Sequence, residues 1–160
     1  MRSAILLACL GFAAPLAAQD SARVVLAATA DLQGQLTGWD DALERPHPGG
    51  LVRAATVLDS LRRLHPDQLI VADVGNARFG SPLASFLAAA PRDPDPVVEA
   101  QNLAGVDVAT LSAHDLHGGI AALRRAIRGA RFPHVAAAPL RLAGDSLALP
   151  PHVVLRRGPL

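Results

Sequence analysis

Of 160 residues, 51% are hydrophobic, 18% charged and 3% aromatic, and 15 basic against 14 acidic side chains leave a formal charge of +1. That balance excludes a disordered chain, which needs low hydrophobicity and high net charge. It also leaves no basic footprint for a nucleic-acid polymer. A single Cys excludes a disulfide framework and a cysteine-based zinc knuckle, and the length allows one domain of modest core.

Met1 and Arg2 make a small positive start, Ala4 to Ala14 an apolar run, and Pro15 to Ala18 a small-residue end. Residues 1–18 are therefore expected to be a signal peptide and 19–160 the folded part. The run falls short of the roughly 20 apolar residues that span a bilayer, and no later segment has that length or apolarity. A lipobox reading of Leu6-Leu7-Ala8-Cys9 would acylate Cys9 but leaves an unusually short apolar region before it. Ordinary export, to the periplasm or the exterior, is the expectation.

The remainder alternates strand and helix. Arg23 to Thr29 reads as a buried strand, followed by a polar Gly- and Pro-rich loop to Gly49-Gly50. Leu51, Ala54, Ala55, Leu58, Leu61 and Leu64 recur at helical spacing, and Pro66 closes that helix. Leu69 to Ala72 is a second strand. Leu83 to Ala89 and Val97 to Leu103 are helices, the latter stopped by Gly105. Val106 to Leu111 is a third strand, Ile120 to Ile127 a helix and His134 to Ala137 a fourth strand. Strands separated by helices predict an α/β fold, a mostly parallel sheet with helices packed on it.

In such sheets, ligands bind at the carboxyl ends of the strands. Asp31 follows the first strand, Asp73 and Asn76 the second, and His114, Asp115 and His117 the third. Asp and Asn are also the usual residues of loops and caps, so position alone leaves both readings open.

Read in order, these loops resemble those of a known family. Asp31-Leu32-Gln33-Gly34 resembles an Asp-x-His-Gly motif, and Gly38-Trp39-Asp40 and Gly49-Gly50-Leu51 continue the pattern. Asp73-Val74-Gly75-Asn76 with Gly80-Ser81-Pro82-Leu83 resembles an Asp-Ala-Gly-Asp block and the Gly-Ser-Pro-Leu after it; Ala113-His114-Asp115 stands where Asn-His-Glu or Asn-His-Asp is found. The family is that of the calcineurin-like metallophosphoesterases, in its secreted 5′-nucleotidase and 2′,3′-cyclic-nucleotide phosphodiesterase branch. The resemblance runs from about Val24 to the last residue and implies a layered sandwich, of which this sequence is the amino-terminal part.

The resemblance also implies two divalent or transition-metal ions that polarise a phosphoryl group and supply the attacking oxygen. At the matching positions Asp31 is a retained metal ligand. Gln33 replaces a His, Asn76 replaces the Asp that bridges both ions, and Ala113 replaces an Asn and offers no ligand. His114 matches the histidine that stabilises or protonates the reacting ester, and Asp115 the acid that orients it. The family's Gly-His-x-His ligands lie further along its chain than the point matched by Gly158-Pro159-Leu160. A degenerate, truncated metal site is therefore expected.

Other residues carry two readings. Trp39 suits stacking on a base but more often such a residue covers apolar surface. Arg78 suits phosphate pairing or a plain surface loop. His114 and His117 form His-x-x-His, a weak metal pattern with Asp31. Arg124, Arg125 and Arg128 read as a solvated helix face. No Walker A lysine or nucleophile-elbow serine is present.

Three functions follow. The first is a 5′-nucleotidase-type phosphoesterase, acting on nucleotide or phosphate-ester small molecules, with little or no activity of its own. The second is one half of a split enzyme completed by a downstream polypeptide. The third is an exported, non-catalytic module that binds nucleotide or phosphate.

Overall fold

A computed structural model describes residues 21–158 apart from 42 and 143; the expected signal peptide and Cys9 lie outside the described residues. Strand β1 (Val25–Thr29) is separated by two short strands, β2 (Trp39–Asp40) and β3 (Arg45–Pro46), from helix α1 (Leu51–Leu64). Strand β4 (Leu69–Asp73), helices α2 (Pro82–Ala89) and α3 (Pro96–Ala104) and strand β5 (Val108–Ala109) follow. A 3-10 turn at Ala113–Leu116, helix α4 (Gly119–Ile127) and the hairpin strands β6 (Leu140–Leu142) and β7 (Asp145–Leu147) end the order.

The main sheet has the order β1-β4-β5, all parallel, with Val25 opposite Leu69 and Thr29 opposite Asp73. The expected third strand is shortened to two residues, and the expected fourth contracts to an isolated parallel bridge between Ala109 and His134. Before the bridge Pro133 has no N–H to give, and beyond it the Ala136 N–H donates to Pro150 instead. Val153 to Leu155 has no regular secondary structure. The hairpins β2–β3 and β6–β7 were not anticipated; each strand is only two or three residues long, too short for a period to register.

Helix boundaries follow local chemistry. Ser81 accepts the amide of Ala84 and Pro82 opens α2; Asp95 accepts the amides of Val97 and Val98 and Pro96 opens α3. Gly105, at φ 70°, ends α3 in the left-handed conformation. Leu51 and Leu58 of α1, Leu69 and Val71 of β4, Ala104, Val106, Ala109 and Phe132 form the main core. Ile120, Leu123 and Leu147 form a second cluster, between α4 and the β6–β7 hairpin.

The first strand corrects one expectation. It is not buried on both faces but alternates, with Leu26 67% exposed and Ala28 also exposed. β1 is an edge strand, and only the face of Val25 and Ala27 packs on the main core.

Candidate functional site

The carboxyl ends of β1 and β4 are laced together by backbone. Asp31 N–H donates to Gly75 (3.1 Å), Gln33 N–H to Asn76 (2.9 Å) and Gly34 N–H to Ala77 (2.7 Å). This side-by-side path requires unusual conformations: Asp31, Gln33 and Asn76 have φ of 56°, 52° and 61°. Left-handed backbone at three non-glycine positions is strain concentrated at one place, a pattern typical of functional loops. Gly75, at φ 97°, lets the backbone of Ser112 approach; a Cβ there would meet its nitrogen at 2.9 Å.

Asp115 holds the third loop to the second. Its side chain is 1% exposed, and its two oxygens accept the amides of Asn76 (2.8 Å), Ala77 (3.1 Å), Arg78 (3.3 Å) and Ser112 (2.9 Å), with the Ser112 hydroxyl at 3.3 Å. These five donors are backbone and serine, and His114 is not among them. Asp73 is likewise buried, accepting from the Thr29 hydroxyl (2.7 Å) and the Gly75 amide (3.0 Å). Burial pushes its carboxyl up, against the pull of those hydrogen bonds.

The sequence-derived residues Asp31, Gln33, Asn76 and His114 do converge. Asp31 Oδ1 accepts a hydrogen bond from Gln33 Nε2 at 3.1 Å and another from Asn76 Nδ2. These bonds, that of Gln33 foremost, hold its carboxyl below the ordinary range; slight burial opposes them and His114 adds to them. His114 and His117 are exposed and meet edge to face at 5.0 Å, and His117 also meets the edge of Phe79 at 6.1 Å. Ala113 is exposed and presents only a methyl group.

The remaining candidates are placed elsewhere. The guanidinium of Arg78 pairs with Asp95 at 2.7 Å and does not line the cleft beside Asp31. Trp39 stands 44% exposed on β2, outside the same lining. That cleft, of about 540 Å³, is bordered by Asp31, Gln33, Asp40, Asp41, His47 and Ser81. Asp40, Asp41 and His47 were missed as site residues; they sit in the polar stretch before α1 and line the same cleft. His134, at the isolated bridge to Ala109, lies within electrostatic reach of Asp115 and Arg78. Burial, together with Arg78 and against Asp115, pushes its imidazole down to about 4.

The donor set does not fit a pair of metal ions. Among the described residues, no group of three or more His, Cys, Asp or Glu side chains is placed to hold one. Hard cations held close together need several carboxylates to offset their charge, and the side chains bonded to Asp31 are amides. Only the NH₂ end of Asn76 can donate to Asp31, so its oxygen points away and is buried without a partner. A nitrogen donating to the carboxylate is not a metal ligand.

No protein-family model matches the sequence. The 2′,3′-cyclic-nucleotide 2′-phosphodiesterase/3′-nucleotidase of Yersinia enterocolitica is 30% identical over 111 residues, 67% of this chain and 17% of that protein. The trifunctional nucleotide phosphoesterase YfkN of Bacillus subtilis is 26% identical over 148 residues, 85% of this chain and 10% of that protein. The solved structure of calcineurin-like phosphoesterase YfkN from the same organism superposes with a TM-score of 0.66 at 26% identity, over 70% of this chain and 36% of that one. The aligned part thus spans less than a fifth of these two curated relatives. Sequence and fold agree: the chain belongs with the calcineurin-like phosphoesterases of the nucleotidase and cyclic-nucleotide phosphodiesterase branch.

Proposed function

We propose that this chain is an exported, degenerate member of that group, with little or no hydrolysis of nucleotide phosphate esters by its own residues. The carrying observation is Asp31, whose Oδ1 accepts two side-chain amides where a metal pair needs further anionic ligands. In an intact site the metals supply the activated oxygen and polarise the ester. Here His114 faces Asp31 without a donor set that holds them, and Asp115 is occupied in fixing the loops. Metal analysis of the purified chain, with AMP and a bis-aryl phosphate as substrates, tests this. Expected are less than one metal ion per chain and turnover near background. Two metal ions per chain, with turnover lost on His114→Ala, would overturn it.

The exposed face of the edge strand β1 supports a second reading, in which a further polypeptide completes the domain and its site. Leu26 and Ala28 lie exposed there, and the matched relatives are several times longer. Co-expression with a segment carrying the Gly-His-x-His stretch would then restore turnover that the chain lacks alone.

A further inference from the structure

The loop from β4 to α2 borders two separate concavities. Gly80 and Ser81 face the cleft of Asp31, whereas Arg78 and Phe79 line a second pocket of about 140 Å³. Leu87 of α2, Arg92 and Asp95 of the following connection, and Arg125 of α4 also line it. The lining thus includes three arginines and one carboxylate.

That carboxylate is already committed. Asp95 accepts Nε and Nη2 of Arg78 at 3.2 and 2.7 Å while its other oxygen caps α3. Both side chains are nearly covered, at 13% and 14% exposure, and Nη1 of Arg78 is buried with no acceptor. A buried donor left without an acceptor is costly and calls for an explanation. Arg92 and Arg125 are exposed and have no ion-pair partner among the described residues. The Phe79 ring, 5.1 Å from the Arg78 guanidinium carbon, supplies an apolar wall.

We propose that this pocket binds a small phosphate-type oxyanion, held at the rim by Arg92 and Arg125 beside the neutralised Arg78–Asp95 pair. Guanidinium forks match the oxygens of phosphate, and two of the three here have no competing carboxylate. The volume is well under the roughly 300–1,000 Å³ of pockets that enclose drug-sized ligands, and it suits one phosphate group rather than an enclosed nucleotide. The site depends on neither His114 nor the cleft of Asp31.

Calorimetric titration of the 160-residue chain at fixed ionic strength, once with inorganic phosphate and once with glycerol phosphate, tests the assignment. Saturable binding is expected, tighter for whichever source the site serves. Arg92→Gln and Arg125→Gln, at exposed positions where the far-UV spectrum stays native, each weaken it by about tenfold, and together abolish it. Gln33→Ala, in the neighbouring cleft, leaves it unchanged. Absence of saturable binding in the unaltered chain overturns the proposal. So does binding that survives the double substitution, or that falls with Gln33→Ala instead.

Discussion

Single side chains around the loops act in opposite senses as pH changes. His134 has its folded pKa pushed down to about 4 from 6.5, chiefly by burial. Between those values the unfolded chain binds a proton that the native chain refuses, so stability rises with pH through that window and is lost as pH falls. The span sets a ceiling of about 3 kcal/mol. Asp73 acts in the opposite sense as pH rises above 3.8. Its folded carboxyl is raised, so its contribution is complete below 3.8 and disappears as pH rises through the folded value. Urea unfolding at pH 7, 6, 5 and 4 is expected to show stability falling with pH, and His134→Gln to flatten that decline. An unaltered slope in the variant places the proton uptake on another group.

Among the elements, α3 depends on one residue with two tasks. Asp95 caps the helix through Val97 and Val98 and neutralises Arg78 across 17 positions. Asp95→Ala removes both, leaving a nearly covered guanidinium unpaired, and is expected to cost about 3 kcal/mol in denaturant unfolding. Asp95→Asn keeps an N-cap acceptor and loses the charge, so its cost is expected to be smaller. Equal losses for the two would mean that the ion pair, and not the cap, carries the effect. The same residue shows how far local patterns reach: the Asp-Pro pair announces the start of a helix, but nothing near it in sequence announces Arg78.

At the scale of the molecule, the edge strand β1 is covered on one face only, whereas Ile70 and Ala72 of β4 are half-buried. α1 and α3 pack on the side of Leu69 and Val71, whereas Leu26 on the other face remains 67% exposed and Leu123, in the second cluster, is 0% exposed. Two leucines of the same type therefore have different weight. Leu123→Ala is expected to cost about 2–5 kcal/mol, because it empties a filled cluster. Leu26→Lys is expected to change stability by no more than about 0.5 kcal/mol, because that side chain is already in contact with solvent. A large loss at Leu26, measured by the same urea titration, would mean that the open face is covered in solution.

Periodicity and caps made much of the fold legible. The 3.6-residue recurrence from Leu51 to Leu64, the β-branched runs at β1 and β4, and the Pro and Gly punctuation around α2 and α3 are local signals with local causes. The polar residues at strand ends likewise marked Asp31, Asn76 and His114 as neighbours, since parallel strands bring their carboxyl ends to one side. Pairing across distance was not legible. The turning of Arg78 to Asp95, the five donors on Asp115, and the entry of Asp40, Asp41 and His47 into the cleft depend on residues far apart in sequence meeting at short range. The sequence by itself determined which chemical groups stand at the sheet's end, including the amides at 33 and 76 and the methyl at 113. Only the tertiary structure decided which of them each carboxylate serves, because a hydrogen bond is set by distance and direction in space rather than by separation along the chain.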